Sequence, residues 1–193
     1  MRSWSEHAIP LLLERFDFSS CRRIADICGG DATNAIAIAN AYPSLGSITL
    51  IDLPGNAHLA RERIERASLA DRIEVIEADI FAEEFPRDHD CFLFIHVLVI
   101  WSREVVIALL EKTYRALPAG GFVVIFSSIS SDDGKGPLMA ALDTAYFVSL
   151  PTGGGMIYAW KDYEECLIQA GFVKFGRIPC QSWTPHGIVV AIK

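Results

Sequence analysis

Short apolar runs alternate along this chain with longer segments whose apolar residues recur every three or four positions. The short runs are typical of strands buried in a parallel sheet, and the longer segments are typical of amphipathic helices. The predicted strands are Arg22–Ile27, Ile48–Ile51, Arg72–Glu77, Cys91–Val99, Phe122–Ser127, Phe172–Pro179 and Gly187–Ile192. The predicted helices are Trp4–Phe16, Ala32–Tyr42, Asn56–Ala70, one that begins at Ser102 and stops at Leu117–Gly121, Pro137–Leu150 and Lys161–Ala170. Strands that alternate with helices and end in a hairpin-like pair predict an α/β, doubly wound sheet.

The composition predicts one folded domain and argues against several classes of partner. The chain has 193 residues, of which 51% are hydrophobic and 21% are charged, and this is enough to bury a substantial core. Its net charge of -7 argues against nucleic acid or an anionic membrane surface as a partner, because both attract clustered Lys and Arg. No signal peptide is visible, and the five cysteines are scattered without a CxxC pair. We therefore expect a cytoplasmic protein with reduced thiols and no bound metal.

The segment from Ile24 to Pro54 has the pattern of a nucleotide-binding strand–turn–helix–strand unit. The turn contains Cys28, Gly29 and Gly30, and glycine both adopts a positive φ and allows a ligand to approach the backbone. Asp52 ends the second strand, 22 positions after Gly30, close to the ~20 expected between such a turn and the carboxylate that holds a ribose. Glycine turns alone are weak signals, since many such units bind nothing. The acid at the end of the second strand favours an adenosine-cofactor site.

A second acid follows the third predicted strand. Asp79, Ile80 and Phe81 place a carboxylate beside two apolar side chains. This arrangement suits an adenine, whose exocyclic amine would donate to the acid while its ring face contacts the apolar groups. The alternative is that Asp79 only caps a turn or helix.

The order of the motifs resembles a known family. DICGGDA, YPSLGSITLIDLP, EADIF, HVLVIW, LPAGG and AGF follow one another as in small-molecule O-methyltransferases that use S-adenosylmethionine, of the plant phenolic and bacterial polyketide-tailoring type. The resemblance runs from about Phe16 to the end of the chain. It implies a class I methyltransferase fold, Rossmann-like, with a mostly parallel seven-stranded sheet and an antiparallel last strand. It also implies S-adenosylmethionine or S-adenosylhomocysteine as cofactor and a small molecule as substrate.

The resemblance assigns cofactor roles to particular residues. Cys28, Gly29 and Gly30 would surround the methionine part, Asp52 with Leu53 would hold the ribose, and Asp79 with Ile80 would hold the adenine. The first and third glycines of the family's turn are Cys28 and Ala32 here, and a basic residue that touches the cofactor falls on Ile95. These departures weaken the prediction of cofactor binding without removing it.

The family's catalytic residues are replaced by residues that cannot ionise. The general base falls on Val99, and the two glutamates that orient it fall on Ser127 and Ile157. A positioned base is worth about 100- to 10,000-fold in rate, and neither valine nor isoleucine can accept a proton. His96 is the nearest substitute, but strict strand alternation would place it on the face opposite Val99, which favours a packed core histidine. We expect His58 and His186 to be solvated in loops, and Asp143 to have a surface or capping role.

Family members also carry a helical N-terminal domain of ~100 residues that dimerises them and closes over the substrate. Here we expect a single domain over residues 1–193, with that helical domain absent or supplied by a partner polypeptide. An open pocket would have an apolar lining of Trp101, Phe147, Met156 and Tyr158, with Trp160 nearby; the alternative is that these side chains simply pack in the core.

Three functions are compatible with this pattern. The chain is an O-methyltransferase that works by proximity or with groups from a partner, a repurposed enzyme that binds the cofactor without consuming it, or a non-catalytic subunit of an active homologue. We favour a protein of small-molecule tailoring that works with a partner chain in a hetero-oligomer, and a pseudoenzyme is among the alternatives.

Overall fold

The computed structural model describes residues 2–151, 154–180, 182 and 184–193. Its strands are β1 (Arg23–Ile27), β2 (Ser47–Asp52), β3 (Ile73–Glu77), β4 (Cys91–Ile95), β5 (Phe122–Ser128), β6 (Lys174–Pro179) and β7 (His186–Ile192). Its helices are α1 (Arg2–Arg15), α2 (Thr33–Ala41), α3 (Pro54–Arg66), α4 (Arg103–Ala116), α5 (Leu138–Val148) and α6 (Trp160–Gln169).

The strands form one sheet in the order β3-β2-β1-β4-β5-β7-β6. All neighbours are parallel except β7, which runs antiparallel to both β5 and β6. The predicted seven-stranded, mostly parallel sheet with an antiparallel last strand is therefore confirmed. The chain moves outward from β1 to β3 on one side and then returns to β4 on the other side of β1. Ligands of open α/β sheets bind in the crevice at such a reversal, beyond the carboxyl ends of the strands.

Helices cover both faces of the sheet, as a doubly wound fold requires. On one face, α4 and α6 pack through Val106, Leu110 and Leu167. On the other face, α1, α2 and α3 contribute Leu12, Ile38 and Ile64 to a second core. The central strands are buried on both sides, which explains why β4 and β5 are continuous apolar runs in the sequence.

The apolar run that predicted a strand over Cys91–Val99 is only half strand. β4 ends at Ile95, His96 adopts a left-handed backbone with φ 56°, and a short 3₁₀ turn follows at Leu98–Ile100. The turn is also buried, so its sequence is as apolar as that of the strand. An apolar run cannot distinguish a buried strand from a buried turn by periodicity. Strand alternation therefore says nothing about the relative directions of His96 and Val99.

The structure tests the prediction that His58 and His186 are solvated in loops. His58 was expected to be solvated in a loop; its ring is exposed, but it lies on α3, which already begins at Pro54. His186 was expected in a solvated loop, but it begins β7, pairs with Ser128 of β5 and is 3% exposed. The prediction failed because the strand starts one residue earlier than its apolar run.

No helix in the described part of the chain combines the length and the apolar character that crossing a lipid bilayer requires.

Candidate functional site

A cavity of about 640 Å³ opens at the carboxyl ends of β1, β2, β3 and β4, where the strand order reverses. Its lining includes every residue that the sequence assigned to the cofactor, namely Cys28, Gly29, Gly30, Asp52, Leu53, Asp79 and Ile80. These residues come from three separate strand ends, and the parallel sheet brings them to one edge. The sequence alone did not show that Ser5 of α1 and His96 also line this cavity.

The glycine turn after β1 has the shape that its two glycines predict. A Cβ on Gly29 would lie 2.6 Å from both Asp26 Oδ2 and Leu50 Cγ, so the backbone passes directly over these side chains. Gly30 has φ 61°, and its N–H donates to Asp52 Oδ2 at 2.8 Å. The turn and the acid that were predicted to act on one ligand are thus hydrogen-bonded to each other.

The two positions where the family's turn has further glycines keep a glycine-like backbone. Cys28 has φ 56° and Ala32, the residue before α2, has φ 64°. A non-glycine residue in this region costs about 1–2 kcal/mol. The chain has therefore retained the geometry of the turn and accepts strain at both positions.

We expect Cys28→Gly to stabilise the protein by about 0.5–1 kcal/mol, because glycine relieves the backbone strain but loses more entropy on folding. The matched control is Ser68→Gly, since Ser68 is exposed, has φ 56° and lies outside the cavity. Urea unfolding of both variants measures the two changes. A loss of stability in Cys28→Gly beside a gain in Ser68→Gly would show that packing of the thiol outweighs the strain.

Asp52 is held firmly at the floor of the cavity. It is 5% exposed and accepts hydrogen bonds from the Gly30 N–H, the Leu53 N–H (2.8 Å) and the Asn56 Nδ2 (2.9 Å). Its carboxylate oxygens keep lone pairs for further donors, because each can accept more than one hydrogen bond. A ribose diol would find a fixed acceptor here.

Asp79 serves as a turn cap and also faces the cavity. Its Oδ1 accepts from the Phe81 N–H at 2.9 Å, and its backbone carbonyl accepts from the N–H groups of Ala82 and Glu83. The side chain is exposed, so Oδ2 remains accessible to a ligand. Next to it, the ring of Phe81 packs edge-on against Trp101 with centroids 5.0 Å apart. The capping role considered for Asp79 is present and leaves the adenine role open.

A further acid, Asp26 on β1, lies beneath the turn that lines the cavity and was not identified from the sequence. It is 1% exposed, its Oδ2 finds no hydrogen-bond partner among the described residues, and it lies directly beneath Gly29. Burial, reinforced by the negative charge of Asp52, raises the pKa of Asp26 to about 7. An acid within a buried apolar strand, just before a glycine turn, is the sequence signal that could have identified it.

The cavity has a strongly negative character. Burial, together with the charges of Asp52, Asp26 and Asp79, raises the pKa of the Cys28 thiol to about 12, so the thiol stays protonated. None of the lining residues that the structure describes is a lysine or an arginine. Such a cavity favours a cationic ligand over an anionic one.

The position that the resemblance gives to the catalytic base is part of an apolar core. Val99 and Ile157, 1% and 2% exposed, form a cluster with Ala140 and Phe147 of α5. Ser127 is also buried. None of these three positions offers an ionisable group to the cavity.

His96 is a packed histidine that touches the cavity. Its backbone N–H donates to the Phe126 carbonyl at 2.9 Å, and its ring contacts Trp4, Phe126 and His186. Burial, and then the neighbouring His186, lowers the pKa of His96 to about 3. Burial likewise lowers the pKa of His186 to about 4. An imidazole with so low a pKa is a weak base for a phenol at neutral pH.

The four residues predicted to line a substrate pocket do not lie on one surface. Trp101 lines the cavity and accepts a hydrogen bond from the Tyr158 hydroxyl on its carbonyl at 2.7 Å. Phe147 packs against Val99, and Tyr158 is 2% exposed in the core beneath α4 and α6, as the core-packing alternative describes. Met156 is exposed. Asp143, expected at the surface or as a cap, is half-buried, and its Oδ2 accepts from the Ser128 hydroxyl at 3.1 Å.

The comparisons with known proteins identify the family. Residues 1–173 match the model of the O-methyltransferase domain family, and the chain belongs to this family. The chain is 48% identical over 195 residues to the L-tyrosine C(3)-methyltransferase of Streptomyces lavendulae, a match that covers 100% of this chain and 53% of that protein. It is 33% identical over 177 residues to the 3-hydroxy-5-methyl-1-naphthoate 3-O-methyltransferase of Streptomyces sahachiroi, covering 92% of this chain and 50% of that protein.

The solved structures agree with this assignment. The S-adenosylmethionine-dependent methyltransferase SibL in its apo form superposes with a TM-score of 0.93 at 45% identity, covering 100% of this chain and 56% of that one. Other solved neighbours were crystallised with S-adenosylmethionine or S-adenosylhomocysteine. The predicted family and the class I methyltransferase fold are confirmed. The chain spans about half the length of the curated relatives it matches.

Proposed function

We propose that this chain is the cofactor-binding half of an S-adenosylmethionine-dependent methyltransferase that modifies an aromatic small molecule in secondary metabolism. One observation carries the proposal. The glycine turn, Asp52 and Asp79 surround a single cavity whose described lining is acidic. S-Adenosylmethionine carries a positively charged sulfonium, and an acidic cavity favours that charge. When bound, this cofactor supplies an electrophilic methyl group.

Different residues of this chain would bind different parts of the cofactor. Backbone groups of Cys28, Gly29 and Gly30 would bind the methionine part at the start of α2. Asp52 would orient the ribose through two hydroxyl hydrogen bonds, and Asp79 would accept from the adenine amine while Ile80 covers the ring. This orientation would direct the methyl group towards the acceptor, which is the part of methyl transfer that proximity accelerates.

The acceptor site lacks a base within the described chain, and this limits what the chain can do unaided. The buried cluster of Val99, Ile157, Ala140 and Phe147 leaves no ionisable group where the resemblance places one. Transfer by proximity therefore requires an acceptor that is already ionised or a group from elsewhere in the assembly. The relatives' names include both an oxygen acceptor and carbon 3 of L-tyrosine, so a phenolic oxygen and a ring carbon are both candidates.

A partner segment is supported by an exposed apolar face on α5. Leu138, Leu142 and Tyr146 recur every four residues, so they share one face, and each is more than half exposed. An apolar surface of this kind on a small domain marks an interaction site. The relatives are about twice as long as this chain, and we propose that a helical segment or partner polypeptide covers this face and closes the substrate site.

Calorimetric titration with S-adenosylmethionine and S-adenosylhomocysteine tests the proposal. We expect both to bind, and we expect Asp52→Ala to lose about 1.5–3 kcal/mol, roughly 10- to 150-fold in Kd, because a hydrogen-bonded carboxylate is removed. Glu74→Ala is the matched control, since it removes an exposed acid of β3 that does not line the cavity. An unchanged affinity in Asp52→Ala would remove Asp52 from the site.

The same titration separates the alternatives. Absence of binding by the chain, alone and with a helical partner segment, favours the non-catalytic subunit. Binding followed by transfer of a labelled methyl group to a phenol supports the methyltransferase. Binding without consumption of the methyl group favours a repurposed enzyme, for which the buried apolar cluster at Val99 is the supporting observation.

A further inference from the structure

Lys112 is a buried lysine whose ammonium contacts two backbone carbonyls and an aromatic ring. It lies on α4, is 8% exposed, and donates from Nζ to the Ile80 carbonyl at 2.8 Å and to the Glu83 carbonyl. The same ammonium lies 4.7 Å from the centre of the Phe85 ring. Lysine is rarely buried this deeply unless its ammonium group is paired with other polar groups. All three contacts are on the loop between β3 and β4.

This loop is the one that presents the proposed adenine-binding residues. Asp79, Ile80 and Phe81 line the main cavity, and Ile80 is bonded directly to Lys112. A second cavity of about 200 Å³ also borders the loop, where Ile80, Glu83, Phe85 and Pro86 line it. Packing around the loop is therefore incomplete, and Lys112 supplies two hydrogen bonds to the loop backbone.

The start of this loop is also held by hydrogen bonds among its own residues. Asp79 accepts on its carbonyl from the N–H groups of Ala82 and Glu83 and on Oδ1 from the Phe81 N–H, so the segment from Asp79 to Glu83 forms one hydrogen-bonded turn. The carbonyls that bind Lys112 belong to the second and last residues of this turn. Lys112 thus holds the backbone of this turn at two carbonyls, and the Phe81 N–H ties the Asp79 carboxylate to the same turn.

We propose that Lys112 is a positioning residue for the adenine end of the cofactor, holding the Asp79–Glu83 turn so that Asp79 meets the exocyclic amine. The inference rests on the proposed function and extends it to a residue that touches no cofactor atom. The contact between Lys112 and Ile80 spans 32 positions, and no motif on α4 marks it in the sequence.

The test is the selectivity between S-adenosylhomocysteine and S-inosylhomocysteine, which has a carbonyl where adenine has its amine. We expect Lys112→Met to weaken S-adenosylhomocysteine about tenfold while changing the inosine analogue by less than about twofold, because only adenine offers an exocyclic amine to Asp79. Lys193→Met is the matched control. Its Nζ donates to the Leu117 carbonyl at 2.6 Å and lies 4.9 Å from the Tyr114 ring, and none of these residues lines the cavity.

Amide hydrogen exchange in the absence of cofactor provides a second measurement. Lys112→Met should accelerate exchange at Phe81, Ala82 and Glu83, Lys193→Met should not, and Lys112→Arg should restore part of the protection. Equal loss of affinity for both ligands, or unchanged exchange in the loop, would overturn the inference. If the wild-type chain binds neither ligand, the proposed function fails, while the exchange data still decide whether Lys112 positions the loop. Should Lys112→Met not fold, Lys112→Gln replaces it in both measurements.

Discussion

Asp26→Asn is expected to stabilise the protein at pH 8 by on the order of 4 kcal/mol. The pKa of Asp26 is raised from 3.8 to about 7, first by burial and then by Asp52. A difference of about three pH units between the folded and unfolded pKa corresponds to this energy, and full burial leaves little solvent to reduce it. Asparagine has nearly the same shape and cannot ionise, so the variant avoids the cost of a buried, unpaired carboxylate.

The contribution of Asp26 to the free energy of unfolding depends on pH. Between about pH 4 and pH 7 the folded state holds a proton on Asp26 that the unfolded state has released, so the contribution of Asp26 becomes less favourable as the pH rises. Above pH 7 the full cost is present, and below pH 4 it vanishes. Urea unfolding of wild type and Asp26→Asn at pH 5, 6 and 8 measures it. The gap between the two proteins should widen as the pH rises.

Asp90→Asn is a control of opposite sign. Asp90 accepts hydrogen bonds from the backbone N–H groups of Arg22 and Arg23, and although burial opposes it, the hydrogen bonds leave its pKa below the usual value. Neutralising Asp90 should therefore cost stability at neutral pH. A gap between wild type and Asp26→Asn that stays constant from pH 5 to pH 8 would show that Asp26 does not carry the proton.

The stability that the buried Asp26 carboxylate costs is explained if the proposed function is correct. Asp26 lies beneath the glycine turn that lines the cavity, and a positive charge bound in that cavity would lower the cost of ionising its buried carboxyl. Residues that destabilise a fold are expected where they serve a ligand, because function and stability compete at such sites.

Local sequence patterns were sufficient for the fold and for the turn with its acid. Gly30 and Asp52 belong to one strand–turn–helix–strand unit, and their spacing of 22 positions predicted that they lie at one site; the structure joins them by a 2.8 Å hydrogen bond. The limits appeared where backbone conformation is set by tertiary packing. His96 leaves the strand through a left-handed residue, and no pattern in the apolar run marks that point.

Contacts between residues that are distant in the sequence could not be predicted from local patterns either. Lys112 contacts a loop that lies 29 to 32 positions away, and Phe147 and Tyr158 point into different cores although they lie close in sequence. The sequence identified which side chains were apolar, but burial against a particular neighbour depends on the assembled layers.

Val99→His, which puts a histidine at the position of the missing base, is expected to destabilise the protein by about 2–5 kcal/mol. Val99 is 1% exposed and packs with Ala140, Phe147 and Ile157, so an imidazole there must overpack the cluster and lose its hydrogen bonds to water. Urea unfolding at pH 8 measures the loss. Val148→His on the exposed side of α5 is the control, and it should change stability by less than about 0.5 kcal/mol.

Adding Ile157→Glu tests whether the two positions still face each other as a base and its orienting acid would. If they do, the double variant should be more stable than the sum of the single changes by about 1–3 kcal/mol, because the carboxylate then partners the imidazole. Additive losses would show that the cluster no longer has the catalytic geometry. A stable Val99→His single variant would contradict the view that this position is core. The double variant therefore distinguishes two origins of the apolar cluster. Either a base was lost from a catalytic site whose geometry is intact, or the site was rebuilt as packing around α5.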